Sequence, residues 1–505
     1  MKIKGLYKLI AVAAAVVGLT TSCIKDERYL TDSSARLVFS EDTVTFDTVF
    51  ATMATVTRSV RVYNCYDEPL LISTVALQGG GASRFRINVD GDTSRIARDV
   101  EIGAHDSIFI FIQANINPND QTTPYLVEDA IVFGFNNRQQ RLPVTAYGRN
   151  AVYHNPTYTH QVYSLYINSR GQIDTNWIPF SIIDCANWDH SRPHVIMGYA
   201  VVNSNETLHL LPGDELYFAD GGCLWVYDSA TLDVRGSLSQ PVLFSSVRQD
   251  SYYDSLPGQW KGIWFSTGSK DSHIEWACIE NAIVGIQADT NVNNNPTLDI
   301  SNSVIQNHSR MGILGQGAWI EGDNLLVHNC GEQLLAMVYG GRYLFSNSTF
   351  ANYWRFSSRK TPSVWINNYY KYDETTTFPR PIQQAEFRNC IIYGNYSGND
   401  NKGEVLFDWL EGCDMNCVFH NCLVRSSLID SDGNATFTPA PLISGSSVIV
   451  DSDPKFNDIH KHDYELQDES PAKGAGNSVW LKTSTDLKGN PRGNPPTIGA
   501  YEIGS

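Results

Sequence analysis

The sequence has few charged residues, and the basic ones are the minority among them. Only 18% of its 505 residues are charged, with 37 Lys and Arg against 54 Asp and Glu, so the formal net charge is −17. An acidic surplus of this size opposes binding to nucleic acid and to anionic lipid headgroups, and neither is an expected partner. It also opposes a strongly polyanionic substrate unless a local basic patch offsets it.

The chain also lacks a sustained 3.6-residue apolar period, so long amphipathic helices are not expected. Short stretches of alternating apolar and polar residues, separated by turn residues, are typical of strands. With 42% hydrophobic residues the chain has the composition of a folded protein, and we predict an all-β fold. At 505 residues it is too long for one ordinary core, so we expect two or three domains.

A repeat organises the middle of the chain. Three segments end with an Asn, an apolar residue three positions later, and a second Asn two positions beyond it. These triples are Asn302/Ile305/Asn307, Asn324/Val327/Asn329 and Asn347/Phe350/Asn352. Partial matches occur at Ile279/Asn281, Asn389/Ile392 and Asn421/Val424. The first Asn recurs after 22 and then 23 residues (302, 324, 347), and strands at such a period predict a parallel β-helix.

The recurring Asn residues suit the corners of such a coil. Asn is a poor strand former, but it tolerates left-handed backbone and can stack its amide on an Asn one rung away. The usual chirality of parallel crossover connections predicts that the coil is right-handed. The alternative is a sandwich of unrelated strands with chance Asn residues.

The N-terminus has the pattern of a secretory signal over residues 1–22. Three early Lys residues precede the apolar run Leu9–Leu19, which is too short to span a bilayer as a stable helix, and L-T-T-S-C then ends at Cys23. This resembles a bacterial lipoprotein box, although Thr20 stands where Leu is usual. The resemblance, to Bacteroidetes lipoproteins in particular, implies cleavage before Cys23 and lipid attached to that residue. The alternative is a plain signal peptide with a chance Cys.

Residues 23–35 would then form a tether. The charged run at 25–27 (K-D-E) looks like the signal that exports Bacteroidetes lipoproteins to the outer face of the outer membrane. The resemblance therefore implies an outer-membrane lipoprotein facing the cell exterior, with the outer membrane as a partner through the lipid. The alternative is a protein that faces the periplasm.

Residues 36–150 contain nine short alternating segments that predict a β-sandwich. The segments are Arg36–Phe39, Thr43–Phe50, Ser59–Asn64, Leu70–Gln78, Phe85–Val89, Ala97–Ile102, Ser107–Ala114, Ala130–Phe135 and Gln140–Tyr147. Asn64 and the P-L-L-I run at 69–72 resemble the Ig-like modules of many Bacteroidetes surface lipoproteins. The D-G-D at 90–92 suits calcium ligation, but a hairpin turn needs the same residues and is the preferred interpretation.

Residues 151–505 are predicted to form the β-helix domain. Val152 to Ser204 looks irregular, and a regular strand pattern starts near Leu208. A polar-aromatic loop at 248–260 and two insertions near 353–381 and 393–416 interrupt the repeat. The C-terminal stretch 453–502, which includes S-P-A-K-G-A-G-N and D-L-K-G-N-P-R, resembles the closing segment of secreted β-helix proteins of the pectate-lyase-like superfamily. We expect it to cap the open edge of the last rung.

The first insertion carries the candidate ligand-binding residues. Aromatic faces stack on sugar rings, and Arg or Lys can reach carboxylated or sulfated sugars. The candidates are Trp354, Trp365, Tyr369, Tyr370, Arg359 and Lys360. The competing interpretation is that these side chains only pack the insertion onto the flank of the β-helix.

Acidic residues are scarce in the regular repeat. Asp299, Glu321 and Asp323 are the candidate catalytic carboxylates, and Asp299 and Glu321 are 22 residues apart (299 to 321), which would place them on neighbouring rungs. Arg310, Arg342 or Lys360 could supply a base. Solvated surface charges would explain the same residues.

Removal of Cys23 would leave nine cysteines. Cys413, Cys417 and Cys422 lie close together with His420, but no complete zinc-ligand spacing is evident. Core packing, with room for one disulfide, is the preferred reading, and no metal site is predicted.

The sequence thus favours a non-enzymatic surface lipoprotein that binds glycan or has a structural or adhesive role. The alternative is a polysaccharide lyase or glycoside hydrolase of the β-helix class. No cofactor is expected, apart from the calcium that a lyase of this class would need.

Overall fold

The computed structural model describes residues 28–51, 57–116, 125–167, 173–250, 253–398, 403–438 and 440–504. The predicted signal segment, Cys23 and the first residues of the tether lie outside them. The chain divides into two compact units, Met1–Arg149 and Asn150–Ser505. Within the described ranges, no helix is long and apolar enough to cross a membrane.

The described part of the first unit contains nine strands, and each overlaps one of the nine predicted segments. They are β1 Val38–Phe39, β2 Val44–Phe50, β3 Arg58–Tyr63, β4 Leu70–Leu77, β5 Phe85–Val89, β6 Ile96–Ile102, β7 Ser107–Ala114, β8 Tyr125–Phe135 and β9 Arg138–Arg149. A four-stranded sheet has the order β1-β3-β7-β5, and a five-stranded sheet has the order β2-β9-β8-β4-β6. Their apolar faces share one core that includes Val60, Ile110, Ile72 and Val144.

The D-G-D segment of this unit forms a turn. Asp90 and Gly91 have φ of 48° and 96°, and Val89 and Asp92 form a bridge across the turn. The Asp92 carboxylate accepts hydrogen bonds from the backbone and the hydroxyl of Ser94. The turn interpretation of this segment is therefore confirmed.

The second unit begins with five strands before Leu208, where the sequence pattern did not predict regular strands. They are β10 Val152–His154, β11 Tyr158–Ile167, β12 Ile173–Ile182, β13 His194–Ile196 and β14 Tyr199–Val202. The prediction of an irregular stretch here was wrong. Parallel pairing of β10 with β13 and of β12 with β14 already starts the coil, although β11 and β12 form a long antiparallel hairpin.

The remaining strands continue the coil to its end, except that Tyr369–Lys371 with Thr377–Pro379, and Phe456–Asp458 with Asp463–Leu466, form two separate antiparallel hairpins. They are β15 Thr207–Leu210, β16 Glu215–Phe218, β17 Cys223–Val226, β18 Thr231–Arg235, β19 Val242–Ser246, β20 Gly262–Phe265, β21 Ser272–Glu275, β22 Ala277–Glu280, β23 Val284–Ala288, β24 Leu298–Ser301, β25 Val304–His308, β26 Met311–Gln316, β27 Trp319–Asp323, β28 Leu326–Cys330, β29 Leu335–Val338, β30 Gly341–Ser346, β31 Thr349–Asn352, β32 Val364–Asn367, β33 Tyr369–Lys371, β34 Thr377–Pro379, β35 Ile382–Arg388, β36 Ile391–Gly394, β37 Val405–Asp408, β38 Met415–His420, β39 Leu423–Val424, β40 Ile443–Ser446, β41 Ile449–Val450, β42 Phe456–Asp458 and β43 Asp463–Leu466.

Three long sheets arise because successive strands of the chain join different sheets in turn. An eleven-stranded sheet has the order β10-β13-β16-β19-β22-β25-β28-β31-β36-β39-β41. A ten-stranded sheet runs β11-β12-β14-β17-β20-β23-β26-β29-β32-β37, and a nine-stranded sheet runs β15-β18-β21-β24-β27-β30-β35-β38-β40. Apart from the β11–β12 pair, neighbours within these sheets are parallel, and the arrangement fits a parallel β-helix.

The predicted repeat sets the register of this coil. Ile305, Val327 and Phe350 occupy equivalent positions of β25, β28 and β31 and are fully buried inside. The Asn residues that mark the corners have positive φ, between 49° and 65° in Asn281, Asn302, Asn307, Asn324, Asn329, Asn347, Asn389 and Asn421. The left-handed corners are confirmed, except at Asn352, which is not among the residues with positive φ and bonds to the backbone of Cys330.

The two insertions contribute to the sheets rather than standing outside them. The first contains β32 and the β33–β34 hairpin, and the second contains β37. Both β32 and β37 extend the ten-stranded sheet, so the coil continues through the predicted interruptions.

The C-terminal segment lies along the side of the coil. Side-chain amides of Asn324, Asn347, Asn389 and Asn421 donate to backbone carbonyls of residues 475–485, so this stretch runs back along four corners. Apolar residues of the segment, including Tyr464 and Ile498, pack on the outer face of the eleven-stranded sheet. The segment therefore covers an outer face of the coil, where it packs on the outward apolar side chains of that sheet, and the expected cap on the last rung stays a prediction.

Cys390, Cys417 and Cys422 are buried in the core, and Cys413 is partly buried. The nine cysteines of the described ranges are all free thiols. The core-packing interpretation of the buried three is confirmed.

Candidate functional site

The outward side of the ten-stranded sheet carries a row of side chains in register that includes three tryptophans, and we call this row and its neighbouring aromatic residues the aromatic face. In β17, Leu224 and Val226 point into the core, so Trp225 between them points outward. Trp264 occupies the same register position on β20. The row then continues through Gln287, Leu314, Ala336, Trp365 and Leu406.

The first cluster of the aromatic face is built around two stacked indoles. The rings of Trp225 and Trp264 are 4.7 Å apart at an interplanar angle of 6°, and Tyr227 meets Trp225 edge-on. The indole N–H of Trp264 donates to the Asp289 carboxylate over 2.7 Å. Gln287 donates to the other oxygen of the same carboxylate. These contacts hold the Trp264 ring in one orientation at the partly exposed surface.

The second cluster is built around Trp365. Its indole N–H donates to Asp408 over 3.3 Å, and the Tyr369 hydroxyl donates to the same carboxylate over 2.8 Å. Burial and the adjacent Asp408 raise the pKa of Tyr369 to about 12, so the hydroxyl keeps its proton. Tyr370 packs edge-on against Tyr339, with ring centroids 5.2 Å apart.

Three residues separate the two clusters along the row. Gln287 and Leu314 are partly exposed, and Ala336 is buried. They stand between Trp264 and Trp365, so the two tryptophans are four rungs apart. At a strand spacing of about 4.8 Å this corresponds to about 19 Å along the coil. Each end of this stretch has an indole ring whose N–H donates to a carboxylate.

The structure brings together three of the six predicted ligand-binding residues, namely Trp365, Tyr369 and Tyr370. Trp354 lies elsewhere and is only 7% exposed, with its N–H donated to Ser357. Lys360 is exposed on the first insertion, away from this cluster's hydrogen bonds.

Arg359 cannot bind a ligand as predicted. Its side chain is 3% exposed and forms a two-pronged ion pair with the fully buried Glu404, with both N–O distances 2.7 Å. Sequence reasoning took the charge as solvent-facing because Glu404, 45 residues later, gave no sign of pairing with it.

Trp225 and Trp264 were not among the predicted site residues. A signal was nevertheless present, because C-L-W-V and G-I-W-F each place Trp between two apolar residues of one strand. Alternation makes such a Trp face outward. Only the register shows that both belong to one row with Trp365.

The predicted carboxylates lie on the nine-stranded sheet instead. Asp299 and Glu321 are in-register neighbours on β24 and β27. Glu321 pairs with Lys482 over 3.1 Å, whereas Asp299 has no hydrogen-bond or ion-pair partner within the described part of the chain.

Asp323 does not face a ligand. It is 2% exposed beneath the C-terminal segment, where Asn347 and Thr483 donate to it. Burial raises the pKa of Asp323 to about 6.

The predicted bases also have other roles. Arg310 pairs with Glu332 over 3.0 Å, and Arg342 stacks on Trp319 at 4.7 Å. Within the described ranges, no group of three or more His, Cys, Asp or Glu residues could hold a metal ion.

No protein-family model and no curated protein matches the chain. Solved structures with partial likeness include a family 123 glycoside hydrolase from Clostridium perfringens, at 9% identity over 25% of this chain and 29% of that one, with a TM-score of 0.18. The catalytic unit of a GH87 α-1,3-glucanase from Streptomyces thermodiastaticus is similar at 11% identity over 78% of this chain and 89% of that one, with a TM-score of 0.19. The YadV chaperone is similar at 15% identity over 29% and 67%, with a TM-score of 0.15. Scores this low carry no functional argument.

Proposed function

We propose that this protein is a glycan-binding surface lipoprotein that holds a sugar chain along the aromatic face. The observation that carries the proposal is the single register row that places Trp264 and Trp365 about 19 Å apart, each with its indole N–H held by a carboxylate. Rings fixed in this way lose little conformational freedom when a ligand stacks on them.

The chemistry of the aromatic face suits a neutral glycan. Aromatic rings stack on the C–H faces of sugars, and the carboxylates of Asp289 and Asp408 can accept bonds from hydroxyl groups beside the rings. The same carboxylates, with the net charge of −17, repel uronic acids and sulfated sugars. We therefore expect neutral polysaccharides to bind more tightly than acidic ones.

The anchoring of the protein is part of the same proposal. The lipoprotein pattern supports lipid attachment at Cys23, and the charged run K-D-E at 25–27 supports exposure at the outer face of the outer membrane, with the periplasmic face as the alternative. The first unit, with its two sheets on one core, would act as an Ig-like spacer between the lipid and a right-handed β-helix.

The test uses the soluble chain from Lys25 onward. We expect neutral polysaccharides to retard it in affinity gels, and Trp264→Ala and Trp365→Ala each to weaken binding about tenfold, or about 1.4 kcal/mol. Trp319→Ala is the matched control, because Trp319 is an outward tryptophan of a strand on the nine-stranded sheet. Unchanged binding in both face variants, or an equal loss in the control, would refute the proposal.

A second candidate function is cleavage of the glycan. It is favoured by the in-register pair Asp299 and Glu321, because neighbouring strands lie about 5 Å apart and a retaining glycosidase has its two carboxyls at about that separation. New reducing or unsaturated ends in the same polysaccharide panel, abolished by Asp299→Asn, would establish it. Retardation without new ends would leave the binding function alone.

A further inference from the structure

A groove of about 510 Å³ opens on the outer face of the eleven-stranded sheet, away from the aromatic face. Its floor is formed by Glu280, Gln306 and His328, which are in-register neighbours on β22, β25 and β28. We call this cavity the histidine groove. The C-terminal segment borders it through His462.

Three different parts of the second unit form the walls of the histidine groove. Asp254 and Ser255 come from the loop before β20, and Arg355 and Phe356 come from the first insertion. His462 comes from the turn of the β42–β43 hairpin, and its ring lies 5.4 Å from that of His328.

A ladder of asparagine amides ends unpaired in the histidine groove. Asn307 donates to Asn281, and Asn329 donates to Asn307, over 2.6 and 2.9 Å. Asn281 and Asn307 also donate to the backbone carbonyls of Asp254 and Ser255. The ladder stops at Asn329, and the side-chain oxygen of Asn329 is buried without a hydrogen-bond partner.

His328, which precedes Asn329 on β28, presents a second unpaired polar atom. Its side chain is buried, and Nδ1 has no hydrogen-bond partner although the residue lines the groove. Burial, with smaller contributions from His462 and His308, lowers the pKa of His328 to about 3, so the imidazole is neutral near pH 7. Buried polar groups without partners are rare, and two on one strand indicate a missing partner.

The charged groups around His328 Nδ1 and Asn329 Oδ1 indicate which class of ligand fits the histidine groove. Glu280 accepts hydrogen bonds from Ser245 and Gln306, and Asp254 adds a second, exposed carboxylate. The one nearby guanidinium among the lining residues, that of Arg355, donates to the carbonyls of Ile459 and His460. An anionic ligand is therefore disfavoured.

We propose that the histidine groove is a second carbohydrate site, which binds one neutral sugar unit through hydroxyl groups placed against His328 Nδ1 and Asn329 Oδ1. A hydroxyl both donates and accepts, so it satisfies the amide oxygen and either tautomer of the neutral imidazole. An ammonium group cannot accept, and a carboxylate cannot donate. The exposed ring of Phe356 offers an apolar surface beside these groups.

The two sites can be tested separately on the soluble chain from Lys25 onward. Glucose, galactose and mannose are titrated by saturation-transfer NMR and calorimetry, with glucuronic and galacturonic acid as charged counterparts. We expect at least one neutral hexose to bind and both acids to bind about tenfold more weakly or not at all.

Three variants remove different parts of the histidine groove. His328→Phe removes the ring nitrogens, and Asn329→Gly removes the amide but keeps the positive φ of 55° that the corner requires. Each should weaken hexose binding about tenfold. Phe356→Ala removes an exposed ring and should weaken it with little risk to folding, whereas Trp319→Ala, on the nine-stranded sheet and outside both sites, should leave hexose binding unchanged.

The proposal is overturned if no neutral hexose binds, if the uronic acids bind as tightly, or if the three groove variants, folded by circular dichroism, all bind like the wild type. Failure of hexose binding with intact polysaccharide retardation would overturn this site and leave the aromatic face standing.

Discussion

Replacement of Arg359 by Met removes one half of a buried ion pair and should be among the most destabilising substitutions in the second unit. The Arg359 guanidinium meets both oxygens of Glu404 over 2.7 Å, and Glu404 is fully buried. The pair joins the two insertions, and Ser363, which also donates to Glu404, directly precedes β32 with Trp365.

The loss of stability in Arg359→Met depends on which partners the Glu404 carboxylate keeps. In Arg359→Met, Glu404 keeps bonds from Ser363 and Tyr396 and a longer contact of 3.4 Å to Arg425. Loss of one partner from a buried ion pair costs about 3–5 kcal/mol. Arg355→Met is the matched control, because this exposed Arg on the same insertion donates only to carbonyls, and it should cost below about 1 kcal/mol.

The stability that Arg359→Met loses should depend on pH. Burial acts to raise the pKa of Glu404, but the hydrogen bonds and charge of Arg359 outweigh it, and the pKa lies below its ordinary value of 4.5. In the wild type the ionised carboxylate is therefore stabilising above that pH, and this contribution is lost as the pH falls. Without Arg359, burial raises the pKa instead, so the variant gains stability on protonation and the deficit should shrink from pH 8 to pH 5.

Urea denaturation followed by tryptophan fluorescence measures this directly. All eleven tryptophans lie in the second unit, so their emission reports its unfolding without a contribution from the first. A wild-type midpoint for Arg359→Met, or a deficit that grows as the pH falls, would refute the reasoning. Arg359→Met combined with Glu404→Leu should recover much of the loss, because no unpaired charge is then buried.

Three further predictions concern the corners and the C-terminal segment. Asn389→Ala should lower the free energy of unfolding by about 1 kcal/mol more than Asn389→Gly does, as measured by urea titration. Both variants lose the hydrogen bonds to Asn347 and Asn477, but only Ala is strained by the positive φ of 51° at this corner. Burial raises the pKa of Asp323 to about 6, so the folded protein binds this proton more tightly than the unfolded chain does. The free energy of unfolding should therefore fall by about 2 kcal/mol as the pH rises from 4 to 7. Asp323→Asn should abolish that fall, and a variant with the same pH profile as the wild type would contradict the prediction. Truncation after residue 474 should expose part of the apolar outer face of the eleven-stranded sheet and remove one hydrogen bond from each of four corner amides. Dye binding and light scattering would show this as exposed surface and aggregation.

Most of the fold was predicted from the alternation of apolar and polar residues and from the period of the Asn residues. The nine strands of the first unit were predicted because alternation and turn residues are local properties. The coil was predicted because Ile305, Val327 and Phe350 recur at the rung period, and stacking at that period buries each unit on the next.

The early rungs escaped prediction because β10 and β13 are only three residues long, and because β11 and β12 pair with each other as an antiparallel hairpin outside the regular repeat. The path of the C-terminal segment also escaped, because its partners are corner amides up to 161 residues away. The pairing of Arg359 with Glu404 was missed for the same reason, since in the sequence both residues look like solvated charges and only the folded insertions bring them together.

By itself, the sequence thus determined the class of fold, the period of the coil and its left-handed corners, since these depend on residue type and local spacing. Only the tertiary structure decided which side chains share a surface. It placed Trp264 with Trp365 in one row, buried Asp323 beneath the C-terminal segment, and left His328 and Asn329 with unpaired atoms in one groove. The physical reason is that each of these depends on register and on which outer face the later chain covers, and neither is encoded in the spacing of nearby residues.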